Sequence, residues 1–121
     1  MANTIITTLQ INGSRNFTAV IDITGDGSAQ ESNTVILALS SLTSAPSAVK
    51  VKSVNWDLTD FSAALKGSTS PAQALALPVY GDEMDFFEMG APRLFTGDIQ
   101  LDTFGLTAAS RGTIVINGYH D

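Results

Sequence analysis

The residue types best suited to chemistry lie between Gly81 and Gly90, in the run Gly-Asp-Glu-Met-Asp-Phe-Phe-Glu-Met-Gly. Asp82, Glu83, Asp85 and Glu88 bring four carboxylates into this run with no basic residue among them. Calcium binds through several carboxylate and carbonyl oxygens, so a cation site is one reading of the cluster. The spacing is not that of an EF-hand loop, because the glycine at the sixth loop position is missing. An exposed acidic loop, bounded by glycines, is the expected arrangement. Asp22 and Asp26, with Gly25 and Gly27, are a smaller version of the same question. There a plain tight turn is expected.

Other chemistries fail on residue count. The chain has no cysteine and one histidine, His120, which is next to last. Disulfides, thiolate metal sites and thiol nucleophiles fall together, and a zinc site built from Cys and His has no ligands. A serine nucleophile needs a histidine base and a strand–turn–helix elbow. Gly13-Ser14-Arg15 is no elbow, and a histidine in a tail is a poor base. Gly25-Asp26-Gly27 lacks the Gly-Lys-Ser/Thr ending of a phosphate loop. No pair among the 12 acids stands out as a glycosidase pair. No enzyme, no cofactor, no metal and no catalytic residue is expected.

Two aromatic features remain. Trp56 is the chain's only tryptophan. It is expected in the core, with a sugar-binding platform as the alternative. Phe86 and Phe87 are adjacent, flanked by Met84 and Met89. Neighbouring residues on a strand face opposite ways, so the two rings cannot share one core. Phe86, Phe87 and Met89 are therefore expected to form a partner interface, as exposed apolar groups often do, with a loop folded back on its own core as the alternative. Thr4, Ile5, Ile6 and Leu9 are the second expected contact, on a segment that would pair as an edge strand or extend as an N-terminal arm over residues 1–12.

Composition narrows the partners. The formal charge is −6, from 6 basic and 12 acidic residues. Nucleic-acid binding works by lysine and arginine displacing counterions, so an acidic chain is not expected to bind it. The N-terminus has no basic region followed by an apolar run, so no signal peptide is expected. No stretch approaches the roughly 20 apolar residues of a membrane helix. Synthesis in a host cytoplasm, without a membrane partner, is the expectation.

The elements that would position these residues are strands. Residues 49–65, Val-Lys-Val-Lys-Ser-Val-Asn-Trp-Asp-Leu-Thr-Asp-Phe-Ser-Ala-Ala-Leu, organise the chain. They read as two alternating, antiparallel strands with Trp56 near the joint, since a period of two puts successive side chains on opposite faces. Thr59 could also cap a short helix holding Phe61 and Leu65. The strand is preferred, because a helix of one and a half turns is marginal. Phe17, Ala19, Ile21 and Ile23 share one face of an earlier strand, as expected of a half-buried antiparallel strand. Asn12-Gly13 signals a turn. Further strands are expected at residues 34–39, 75–79, 99–103 and 113–117, with residues 118–121 as a polar tail. About seven to eight short strands separated by Gly, Ser and Asn turns make an all-β domain, an antiparallel β-sandwich or barrel over residues 1–121.

The order of features from Val49 onward resembles small virion proteins of tailed bacteriophages. Val-Lys-Val-Lys-Ser-Val-Asn-Trp, Ala-Leu-Ala-Leu-Pro-Val-Tyr-Gly, Thr-Gly-Asp-Ile-Gln-Leu-Asp-Thr and Arg-Gly-Thr-Ile-Val-Ile-Asn-Gly carry it. Thr96-Gly97-Asp98-Ile99 and residues 112–116 carry it best. The resemblance implies a capsid decoration, or cement, protein, often a trimer, bound to the major capsid protein on the outer lattice of the virion. A head–tail connector or tail component belongs to the same class. A carbohydrate- or receptor-binding β-sandwich is the alternative from another class. The pattern is one of folding, so it assigns no binding residue.

Overall fold

The computed structural model describes residues 3–26, 30–32, 34–69, 75–77, 80–85 and 93–120. Among these residues the chain forms ten strands: β1 (Thr4–Asn12), β2 (Asn16–Thr24), β3 (Thr34–Leu37), β4 (Ala48–Leu58), β5 (Ser62–Gly67), β6 (Leu75–Leu77), β7 (Tyr80–Asp85), β8 (Arg93–Thr96), β9 (Ile99–Phe104) and β10 (Arg111–His120). One short 3-10 turn, Leu39–Ser41, follows β3. No helix among the described residues is long and apolar enough to cross a membrane.

The strands make two antiparallel sheets. The larger runs β1-β2-β10-β4-β7, with β8 also on β4; the smaller runs β3-β9-β5-β6. Their inner faces enclose one core, and alternation in the sequence supplies it. Phe17, Ala19, Ile21 and Ile23 of β2 are all buried, opposite Ile99, Leu101 and Leu65 of the smaller sheet. Burial of apolar area on this scale is the main favourable term in the fold.

β4 is the hub. Its 11 residues pair with β10 along one edge and with both β7 and β8 along the other. Its inward residues change parity midway: Val49 and Val51, then Val54, Trp56 and Leu58. A β-bulge accounts for the change. Asn117 pairs with Ser53 and Gly118 with Val51, leaving Lys52 as the extra residue. An extra residue on one strand resets which face the following side chains occupy. A second bulge in β3 lets consecutive Ile36 and Leu37 both be buried.

Of the two motifs that carry the family resemblance best, residues 112–116 lie within β10 and Thr96-Gly97-Asp98-Ile99 is a structural joint. Thr96 ends β8 in the larger sheet and Ile99 opens β9 in the smaller, so Gly97-Asp98 carries the chain between layers. Gly97 has φ +79, the left-handed region that favours glycine, and its N–H donates to the Ser47 carbonyl at 3.1 Å. Asp98 Oδ1 accepts from the Leu39 N–H at 2.9 Å, tying the joint to the 3-10 turn.

Several expectations are revised. Residues 49–65 do form two strands, but β4 and β5 lie in different sheets and do not pair; the chain crosses the core at residues 59–61. Trp56 lies in β4, near its end and close to that crossing. The segment from Gly81 is not all loop, since Tyr80–Asp85 is β7, paired with β4 through backbone bonds that need no apolar side chains. Arg93–Thr96 is a strand too. The polar tail is absent as such through His120: Gly118, Tyr119 and His120 continue β10 against β4, and the His120 N–H donates to the Arg15 carbonyl at 2.7 Å. The helix reading of residues 59–65 gives way to the strand β5.

Candidate functional site

Of the two readings of the N-terminal segment, the sheet edge is the one observed. β1 pairs with β2 from Thr4 opposite Thr24 to Asn12 opposite Phe17, through a tight turn in which the Gly13 N–H donates to the Asn16 carbonyl at 2.9 Å. Alternation then divides its residues. Ile5 and Leu9 pack against the core, while Thr4 is exposed and Ile6 is 56% exposed. Ile5 and Leu9 are thus partly buried on the inner side of β1. Ile11 is 53% exposed and joins Ile6 on the outer face. Parity alone would have turned Ile11 inward with Leu9; a bulge at Gln10 reverses it.

β1 is the outer strand of its sheet, and none of its nine residues, Thr-Ile-Ile-Thr-Thr-Leu-Gln-Ile-Asn, is charged or a proline. Edge strands are commonly blunted by Lys, Pro or inward charges. β1 has none of these, although its bulge is one such device. Its flank is held by side chains instead: Asn12 Nδ2 donates to the Ser41 carbonyl at 3.1 Å, and the Thr43 N–H donates to Asn12 Oδ1 at 2.8 Å.

Phe86, Phe87 and Met89 lie outside the described residues, as does Glu88. Of the other acidic positions, Asp82 is placed in register with Trp56, Glu83 with Asn55 and Asp85 with Ser53. Asp22 Oδ1 accepts from Thr113 Oγ1 at 3.1 Å on the outer face, while the Asp26 N–H donates to Asn3 Oδ1 at 3.0 Å in the loop after β2. Asp22 and Asp26 thus serve two separate contacts. Among the described residues no group of three or more His, Cys, Asp or Glu side chains is placed to hold a metal. Trp56 is 5% exposed, a core side chain and not a platform for a sugar.

The outer face of the larger sheet carries features that sequence reasoning missed. Thr18, Asn117 and Ser53 stand side by side on β2, β10 and β4. Thr18 Oγ1 donates to Asn117 Oδ1 at 2.7 Å, and Asn117 Nδ2 donates to Ser53 Oγ at 3.1 Å. This ladder floors a hollow of about 540 Å³, whose lining includes Ile11, Asn16 and Lys52. A second hollow of about 310 Å³, lined by Arg15, Asn16, Lys52 and Tyr119, adjoins it through the shared Asn16 and Lys52. The Arg15 guanidinium sits 5.9 Å from the Tyr119 ring centroid, within cation–π range. A signal existed in the polar positions of three strands, but only the register brings them into one row.

Exposed apolar side chains also occur beyond β1. Phe104, 56% exposed, and Val35 lie on the smaller sheet, and Leu94 lies on β8. Scattered apolar exposure is ordinary, so these positions alone assign no site.

No family model matches the sequence. No curated protein matches it either. Among solved structures, the chain is similar to a cupin domain from Bordetella pertussis Tohama I, at 9% identity and a TM-score of 0.39, covering 98% of this chain and 96% of that one. A likeness at that level carries no functional argument.

Proposed function

We propose that this chain is a non-catalytic structural component of a tailed-phage particle, and within that class a capsid decoration protein. It would bind the major capsid protein on the outer lattice, as a homotrimer, and brace the shell. The observation that carries the reading is β1: a nine-residue uncharged edge strand with Ile6 and Ile11 turned outward. An open sheet edge offers a row of backbone donors and acceptors, and strand addition to it gives adhesion without chemistry. The resemblance of Thr96-Gly97-Asp98-Ile99 and residues 112–116 to phage virion proteins supports the same reading, as does an acidic, cysteine-free chain.

The test is co-sedimentation with empty tailed-phage capsids assembled from a major capsid protein. The wild-type chain should pellet with the shells. Ile6→Lys places a charge on the outward side of β1 and should abolish pelleting while leaving the circular dichroism spectrum unchanged. Retention of the variant on capsids would remove β1 from the mechanism. Failure of the wild-type chain to bind would overturn the decoration role. Light scattering should give the mass of a trimer, and a strict monomer would count against that assembly.

A further inference from the structure

We infer that the strand added to β1 comes from a partner segment carrying lysine or arginine alongside the N-terminal half of the edge. The inference rests on the reading of β1 as the contact and adds the chemistry of its partner. β1 has no charged residue of its own, and no strand among the described residues pairs with its outer side. The charges around it belong to other elements. Ile6 is in register with Asp22 of β2, and directly opposed residues share one face of a sheet. Both are exposed there. Asp22 accepts from Thr113 Oγ1 at 3.1 Å, a neutral donor, so that bond leaves its charge in place.

Glu31 lies on the other flank. Its Oε2 accepts from Asn3 Nδ2 and its Oε1 from Thr34 Oγ1, both at 2.8 Å and both neutral donors. It therefore sits between the start of β1 and the start of β3, the outer strand of the smaller sheet. Asp26 is tied to the same end, its N–H donating to Asn3 Oδ1 at 3.0 Å. The basic residue of this region is Arg111, in register with Thr24, which shares a hollow with Asp22 and Asp57. Its Nη1 donates to the Ser110 carbonyl at 2.9 Å. Asp22, Glu31 and Asp57 outnumber it, so this end of the edge favours a cation. The other end differs: Arg15 stands in the turn after β1, and Lys52 lines the hollow beside Ile11. The preference is thus confined to the stretch alongside residues 3–6.

Reach selects the side chain. Paired strands lie about 4.8 Å apart, so a residue opposite Ile6 on an added strand is about 10 Å from Asp22. A lysine or arginine spans that gap by laying its methylene stem on Ile6 and turning its charged head to the carboxylate. Short polar side chains cannot. Backbone pairing along the edge supplies the adhesion, and the cation supplies the choice of partner. A second copy of β1 does not fit this requirement. It is uncharged, and a β1–β1 pair would bring no cation to Asp22 or Glu31.

The experiment titrates the purified full chain into labelled synthetic peptides as long as β1, read by fluorescence anisotropy. Each alternates valine with one variable residue: lysine, glutamine or glutamate. The lysine peptide should bind about tenfold or more tightly than the glutamate peptide, with glutamine between, and added salt should narrow the gap. Asp22→Asn keeps an oxygen for Thr113 and removes only the charge. It should weaken the lysine peptide about two- to fivefold, the range of an exposed ion pair, and leave the glutamine peptide unchanged. A lysine–proline peptide has the same charge but cannot form a strand, and it should not bind. Equal affinity of the three valine peptides, binding of none, no effect of Asp22→Asn, or binding of the lysine–proline peptide would each overturn the proposal. So would a lower light-scattering mass for Ile6→Lys, which would place a second copy on β1. Capsid sedimentation keeps the two readings apart. Shells that hold the wild-type chain while peptides show no charge preference sink this inference alone; charge-selective peptides without capsid binding sink the decoration role alone.

Discussion

Gly118 of β10 lies beneath the ring of its register partner Phe17 on β2: a Cβ built at Gly118 would fall 2.7 Å from Phe17 Cζ and 2.6 Å from the Lys50 carbonyl oxygen. The missing side chain lets an aromatic ring lie flat across the strand, a device that covers a glycine weak point in a sheet. Gly112, at the other end of β10, is related in the same way to Phe61, with Cζ at 2.9 Å from a built Cβ. The two sites differ in what must yield. At Gly112 the near atoms are ends of side chains, Phe61 and Leu58 Cδ2; at Gly118 one is backbone. Gly118→Ala should therefore cost about 1–3 kcal/mol, and Gly112→Ala less. Urea unfolding midpoints of the two variants check the order, and equal midpoints would show that the backbone contact does not matter.

The bulge at Lys52 makes a sharper prediction. Val49 and Val51 face the core before it, and Val54, Trp56 and Leu58 after it. Deleting Lys52 would restore simple alternation and turn one of these groups to solvent. Since both groups are buried, the deletion should abolish cooperative unfolding rather than merely lower the midpoint. Trp56 fluorescence should move toward that of tryptophan in water. A folded deletion variant with blue-shifted emission would mean that the strand can relieve the change elsewhere.

These two features also show what the sequence could convey. β2 was legible because Phe17, Ala19, Ile21 and Ile23 alternate without a break, and each is buried. The parity change around Lys52 is written in the sequence, but it reads there as the end of one strand and the start of another. β7 was illegible for a different reason. Gly81, Asp82, Glu83 and Asp85 have the composition of a loop, and the strand depends on the backbone of β4 rather than on an apolar stripe. Nor can periodicity tell which sheet a strand joins. β4 and β5 are neighbours in sequence but lie in opposite layers, with residues 59–61 crossing between them. For the same reason the Thr18–Asn117–Ser53 row was hidden: its members are far apart in the chain and meet only through register.

Burial separates two large aromatic substitutions. Trp56 is 5% exposed near the end of β4, whereas Phe104 is 56% exposed at the end of β9. Trp56→Ala leaves a cavity between the sheets and should cost about 3–5 kcal/mol. Phe104→Ala removes surface that water already reaches, and its effect should stay within about 0.5 kcal/mol. Chemical denaturation of both variants measures the difference. A large loss at Phe104 would instead reveal a covering contact on the outer face of the smaller sheet.

Ser110 offers the last test, because it is a polar residue buried completely, at 0% exposure. Its Oγ donates to Asp60 Oδ1 at 2.6 Å and accepts from the Thr107 N–H at 2.8 Å. Its carbonyl accepts from the Gly25 N–H at 3.0 Å, so one residue joins the loops after β2, β4 and β9. Ser110→Ala removes the hydroxyl and leaves the Thr107 N–H without that acceptor. An unsatisfied buried donor costs its desolvation, so the loss should be about 1–3 kcal/mol. Thr59 makes comparable bonds to Arg111 at 3.0 and 3.1 Å, but it is exposed, and water can replace the lost hydroxyl. Thr59→Ala should consequently cost less than Ser110→Ala. Hydrogen exchange at the Thr107 and Gly25 amides should quicken in Ser110→Ala and stay near wild type in Thr59→Ala; the reverse order would mean that Ser110 does not hold the three loops together.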